Sequence, residues 1–158
     1  MAGGLGEAAS IAGLISLAGQ TMQAITTIAA FCKAYNNVHT DIVKSATNLE
    51  LLRRVLLQIE TTANFSLAPS RCPPALISHL RDCVSACRQD MHSWVQWIKS
   101  IDVSKAGRLE KIWKKIRVAA DQNHFSRLSN GVSAHIENIT LCFQLLNWLV
   151  DVQPIADL

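Results

Sequence analysis

The sequence predicts an all-α fold, a single bundle of about five helices with a Gly/Ala-rich amphipathic helix at its N-terminus, in one domain spanning 1–158. Three observations lead there. Apolar residues recur at spacings of three and four over long stretches, no segment sustains the period-two alternation of a half-buried strand, and the prolines gather at the joints. At 158 residues the chain can bury a sizeable core without disulfides or a metal.

The first helix begins in GLGEAASIAGLISLAGQTMQAITTIAAFC, residues 4–32, and ends before a polar turn around Tyr35, Asn36 and Asn37. The second carries the stripe Val38, Ile42, Leu49, Leu52, Leu56 and Ile59, whose spacings of three, four and seven mark an amphipathic helix ending near Asn64. SLAPSRCPPA, residues 66–75, is a loop, because its three prolines remove backbone donors and disfavour helical angles in the residues before them. Pro74 suits the first turn of the third helix, where a missing N–H costs little. The stripe Ile77, Leu80, Val84, Cys87, Met91, Trp94 and Ile98 continues that helix to about Ile101. A fourth follows a short connector, with Leu109, Ile112, Trp113, Ile116 and Ala120 on one side and basic residues on the other. The last runs from about His124 to Val150, with Phe125, Leu128, Val132, Ile136, Ile139, Phe143, Leu146 and Leu149 as its core face, and Pro154 stops it. The ending VDVQPIADL reads as a domain boundary, as expected of the N-terminal piece of a longer protein.

Hydrophobic residues make up 49 % of the chain and charged ones 17 %, against roughly 25 % in an average globular protein, so something besides water is expected to cover part of the surface. The net charge of +3 is unevenly spread. Lys105, Arg108, Lys111, Lys114, Lys115 and Arg117 face a single acid, Glu110, so this window carries +5 and the rest of the chain −2. Such a patch is either a solvated helix face or a contact for an anionic membrane, where each basic residue is worth roughly 1 kcal/mol. It is too short, and too poor in recognition motifs, to predict nucleic-acid binding.

Five cysteines, Cys32, Cys72, Cys83, Cys87 and Cys142, form an odd set scattered through helical patterns, which predicts reduced thiols in a cytoplasmic protein. In that compartment the sequons at Asn64 and Asn138 are chance. His79, Cys83 and Cys87 share one helix side, but three ligands strung over two helical turns cannot close a tetrahedron around one ion, so they read as core-face residues. No Ser, His and acid combination falls in a nucleophile-bearing turn, and no Gly-rich loop follows a strand. The expectation is a protein without catalytic residues, metal or cofactor. Of the four tryptophans, Trp94 and Trp113 fall on apolar stripes, whereas Trp97 is offset to a helix flank.

The opening segment carries the functional signal. No Lys or Arg precedes its apolar run, and Glu7 is acidic, which excludes a signal peptide. Residues 8–32 are 25 uncharged positions, about 38 Å of helix against a hydrocarbon layer of ~30 Å. On a helical wheel Ile11, Leu14, Ile15, Ala18, Met22, Ile25 and Ala29 fall together, opposite Ala9, Gly13, Ser16, Gln20, Gln23 and Thr27. Small residues recur by four at Ala8, Ala12 and Ser16 and at Ala9 and Gly13, a spacing that lets helices approach closely in lipid. The aliphatic side serves a bundle in water or lipid in an assembled state.

SIAGLISLAGQ after a Gly/Ala-rich start, LELLRRVLLQIE in the second helix, and GRLEKIWKKI before a long last helix resemble the HeLo-like N-terminal domain of fungal STAND (NLR-type) proteins and cell-death effectors. The likeness spans nearly the whole chain. It implies a helical bundle related to HeLo and to the four-helix domain of mixed-lineage kinase-like necroptosis effectors. Such a domain acts in programmed cell death, heterokaryon incompatibility and innate immunity. An upstream NLR-type sensor triggers its oligomerisation, and its N-terminal helix then permeabilises the plasma membrane. On this sequence the resemblance implies a membrane-inserting helix containing Leu5, Gly6, Ile11, Gly13, Leu14, Ile15, Leu17, Gly19, Met22 and Ile25. It implies lipid-headgroup contact at Lys105, Arg108, Lys111, Lys114, Lys115 and Arg117, with anionic lipids, further copies of the chain and the sensor as partners. A protein-interaction module that assembles NLR-type receptors without touching lipid is the rival reading, since it uses the same helix.

Overall fold

The computed structural model describes the backbone of residues 2–34, 40–65, 73–101 and 124–152, and the side chains of 11–34, 42–62, 73–100 and 125–149. Among the described residues there are four helices and no strand: α1 (Ala2–Ala34), α2 (Thr40–Phe65), α3 (Pro74–Ile101) and α4 (His124–Val152). The helix expected around Leu109–Ala120 lies outside the described residues, as do Val38 and Trp113. At the start of α3 the Pro73 carbonyl accepts hydrogen bonds from the amides of Leu76 (3.1 Å) and Ile77 (3.2 Å), which places Pro74 in the first turn.

Each helix buries a seam in which spacings of three and four alternate, with one step of seven in α3 and one in α4. In α1 it is Ile11, Leu14, Ala18, Thr21, Ile25, Ile28 and Cys32, and in α2 Ile42, Ser45, Leu49, Leu52, Leu56 and Ile59. Ile77, Leu80, Val84, Cys87, Met91 and Ile98 form that of α3; Phe125, Leu128, Val132, Ile139, Cys142 and Leu146 form that of α4. A period near 3.5 keeps one stripe facing the same neighbours along the whole length, the pattern of long helices packed side by side. Several expected core positions sit at the margin instead: Ile15, Met22, Trp94 and Ile136 are half-buried and pack against the core from its edge.

α1 packs on α2 and α3, and α4 packs on the same two, so α1 and α4 stand on one diagonal of the bundle and α2 and α3 on the other. Contacts fix the directions. Ser45 and Asn48 meet Phe125 and Ser129, so α2 and α4 are parallel, while Asp90 meets His135 and Trp97 meets Phe125, so α3 and α4 are antiparallel. Gly13 lies against Arg81 and Phe31 against Trp97, so α1 and α3 are parallel. Trp97 is half-buried, in keeping with its offset from the α3 stripe. It sits at one end of the bundle where α1, α3 and α4 meet, with edge-to-face contacts to Phe31 (6.2 Å), Trp94 (5.7 Å) and Phe125 (6.1 Å).

Candidate functional site

α1 is the helix on which the functional expectation rests, and among the described residues no side-chain hydrogen bond joins it to another helix. α4 is held by directional polar contacts. The Ser45 hydroxyl donates to the Phe125 carbonyl (3.2 Å), and the Asn48 amide donates to Ser129 Oγ (2.8 Å) and Ser133 Oγ (3.3 Å), joining α2 to α4. His135 Nε2 lies 2.9 Å from Asp90 Oδ2, and the Cys142 thiol points at the Leu76 carbonyl (3.7 Å), joining α3 to α4.

Among the described residues, the side-chain hydrogen bonds of α1 instead turn back onto α1. Thr21, fully buried, donates to the Leu17 carbonyl (2.6 Å), Thr26 to that of Met22 (2.9 Å), Thr27 to that of Gln23 (3.2 Å), and Gln20 to Ser16 Oγ (3.2 Å). A hydroxyl bonded to the carbonyl one turn earlier needs neither water nor a neighbouring helix. Among the described residues, what seats α1 on α2 and α3 is chiefly apolar area, from Ile11, Leu14, Ala18, Ile25 and Ile28, with Phe31 against Trp97, while the Lys33 charge lies near Glu50 of α2.

The positions expected to insert in membrane take different places. Ile11, Leu14 and Ile25 are buried; Ile15, Leu17 and Met22 flank them half-buried; Ser16, Gln20, Gln23 and Thr27 face outward. Leu5 and Gly6 belong to the backbone of α1, and their side-chain surroundings lie outside the described residues. A Cβ at Gly13 would touch the Arg81 guanidinium at 3.7 Å, an ordinary contact, and one at Gly19 would meet nothing within 4 Å. Neither glycine is required by close approach of another helix in this state. Ile11–Ala34 is long and apolar enough to cross a membrane by length and composition, and 33 % of its most apolar stretch is buried inside the bundle.

Lys105, Arg108, Lys111, Lys114, Lys115 and Arg117 all lie outside the described residues. A different basic cluster, missed in the sequence, lies where α1 ends beside α2. Lys33, Arg53 and Arg54 surround Glu50, whose carboxylate Arg53 grips with two contacts (2.7 and 3.2 Å) and Arg54 approaches at 3.9 Å. The Arg53 hydrogen bonds, aided by the nearby positive charges, hold Glu50 below the usual carboxylate range. The signal was the alternation of Glu50 with Arg53 and Arg54 at one-turn spacing.

His79 Nε2 stands 3.9 Å from Cys83 Sγ at the mouth of a groove between α3 and α4, while Cys87 is buried in the core. Among the described residues no group of three His, Cys, Asp or Glu side chains is placed to hold a metal ion. Burial pushes the Cys87 thiol up to about 12 and the Cys142 thiol up to about 11, and Cys83 also moves up, so these groups are neutral at ordinary pH. No protein-family model matches the chain, and neither do curated proteins or solved structures.

Proposed function

We propose that this chain is the membrane-permeabilising module of a regulated cell-death pathway, resting in the cytoplasm as a bundle and inserting α1 into the plasma membrane after an upstream sensor brings copies together. The observation that carries the reading is the self-contained chemistry of α1. It is held by apolar contact, and Thr21, Thr26 and Thr27 bond their own helix backbone. In hydrocarbon an unsatisfied hydroxyl costs several kcal/mol, roughly 4–8 on a cyclohexane scale. A helix that satisfies its hydroxyls internally carries that bond with it when it changes surroundings. Its aliphatic seam trades α2 and α3 for lipid, so the apolar area of α1 itself stays covered while that of α2 and α3 is opened, and α2, α3 and α4 remain tied through Asn48–Ser129 and Asp90–His135.

Leakage of dye from anionic vesicles tests this, comparing the intact chain with one lacking residues 1–20, before and after forced oligomerisation. Leakage by the intact chain alone is expected; no leakage and no sedimentation with vesicles from either form removes the membrane reading and leaves the interaction module. Reversing Lys111, Lys114 and Lys115 to Glu is expected to weaken vesicle binding without lowering the melting temperature.

A further inference from the structure

Among the described residues, the exposed large apolar side chains fall on two helices, α2 (Val43, Leu51, Leu57) and α4 (Leu141, Leu145, Trp148). On α4 they form a ridge at i, i+4 and i+7, with Leu141 67 %, Leu145 45 % and Trp148 59 % exposed, and Glu137 stands exposed one turn before it. Residues 138–149 contain no charge, so on α4 itself the ridge is flanked by neutral side chains, and on its α3 side Leu141 and Leu145 wall the groove that holds His79 and Cys83. On α2, Val43, Ala46 and Leu51 floor a groove against the end of α1, and its rim carries Lys33 and Arg54. Glu50, also on this rim, takes its shortest contact from Arg53 at 2.7 Å, so Lys33 and Arg54 keep the rim positive.

The geometry points to these two features as the halves of one contact: the α4 ridge of one copy of this chain seats in the α1/α2 groove of the next. The two are complementary in charge, an apolar ridge headed by the acid Glu137 meeting an apolar groove rimmed by the bases Lys33 and Arg54. The acid-headed ridge also runs toward the C-terminal, partially negative end of α4.

Their placement decides the symmetry. The bundle's neighbour relations run α1 to α2 to α4 to α3 and back to α1, so the α1/α2 side and the α3/α4 side are opposite faces. A ridge and a groove on opposite faces cannot satisfy each other within one two-fold dimer; the contact is head-to-tail and propagates. The faces are also staggered. Ser45 is level with Phe125 and Asn48 with Ser129, which puts the groove beside the first half of α4 and the ridge in its second half, a step of ~24 Å along the helix axes.

This assignment supplies the assembly step of the membrane reading but is read in solution, without lipid, so the two fail separately: leakage tests insertion, and association tests the contact. Sedimentation velocity on the full chain over a concentration series is expected to show growth beyond a dimer. Leu145→Glu, which charges the ridge, and Leu51→Glu, which charges the groove, sit at exposed positions, and circular-dichroism melts check that both variants fold. Each alone is expected to lose self-association by ~10-fold or more. Mixed in equal amounts they are expected to form a dimer and nothing larger, because one intact ridge and one intact groove remain. Glu137→Lys is expected to weaken the wild-type association, and adding Arg54→Glu to restore it. A chain that stays monomeric throughout the series, a single variant that associates as tightly as the parent, or indifference to both charge changes overturns the contact. A monomer whose vesicle binding is lost in Leu145→Glu and Leu51→Glu overturns it in favour of lipid as the occupant of these faces.

Discussion

Asp90 Oδ2 lies 2.9 Å from His135 Nε2, and a Cβ on Gly131 would stand 3.3 Å from the same oxygen. One carboxylate oxygen thus joins α3 to α4 and leaves no slack over the glycine. Gly131→Ala is expected to lower the melting temperature or leave it unchanged, the gain in helix propensity being offset by the displaced carboxylate. In an Asp90→Ala background the same substitution is expected to stabilise by ~0.5–1 kcal/mol, since only the propensity gain remains. A double-mutant cycle by chemical denaturation reads the sign change.

Gly19 gives the opposite case in α1. With open space where its Cβ would be, Gly19→Ala is expected to stabilise the resting bundle by ~0.5–1 kcal/mol, seen as a raised melting temperature. If it proves destabilising, another surface covers Gly19 in solution.

Ile28 is 1 % exposed and belongs to the apolar seat of α1. Ile28→Ala is expected to cost ~2–5 kcal/mol, with amide exchange accelerated more in α1 than in α4. On the membrane reading this variant leaks vesicles at lower protein concentration than the parent. Ile15→Glu, at a half-buried flank position, is expected to abolish leakage while the melt stays cooperative.

The core thiols set an alkaline limit. Burial raises Cys87 from 9.0 to about 12, and raises Cys142 from 9.0 to about 11 with help from Cys83. A folded pKa above the unfolded one contributes stability that is complete below the unfolded value and is lost as pH climbs through the folded one. The melting temperature is therefore expected to fall as pH rises from 9.0 toward 11, and to fall less in Cys87→Ala relative to its own neutral-pH value.

The helix bounds were legible because the sequence punctuates them: Pro74 opens α3 and Pro154 follows α4, and the Ile77-to-Met91 and Leu49-to-Ile59 stripes are the observed seams. Buried polar members were not. Thr21, Ser45 and Ser129 complete three seams, yet hydrophobicity skips them; each is admitted by a hydrogen bond, to its own helix for Thr21 and across to another for the serines. The flank position of Trp97 was legible but its ring partners were not, because a wheel ranks positions within one helix, while Phe31 and Phe125 come from two others. The chiefly apolar attachment of α1 among the described residues was equally invisible, since periodicity shows which side of a helix is covered and never by what. The α1/α2 groove escaped notice for the same reason, joining Lys33 to residues that only helix pairing brings near.

Phe31 on α1 rests edge-on to Trp97 on α3, so the protein carries its own optical gauge. A departing α1 strips that ring from the indole and admits water, shifting Trp97 emission to the red, while Trp148, already 59 % exposed, scarcely changes. The difference between the parent chain and Trp97→Phe isolates this signal, and its time course on mixing with vesicles times the helix's exit without any attached dye.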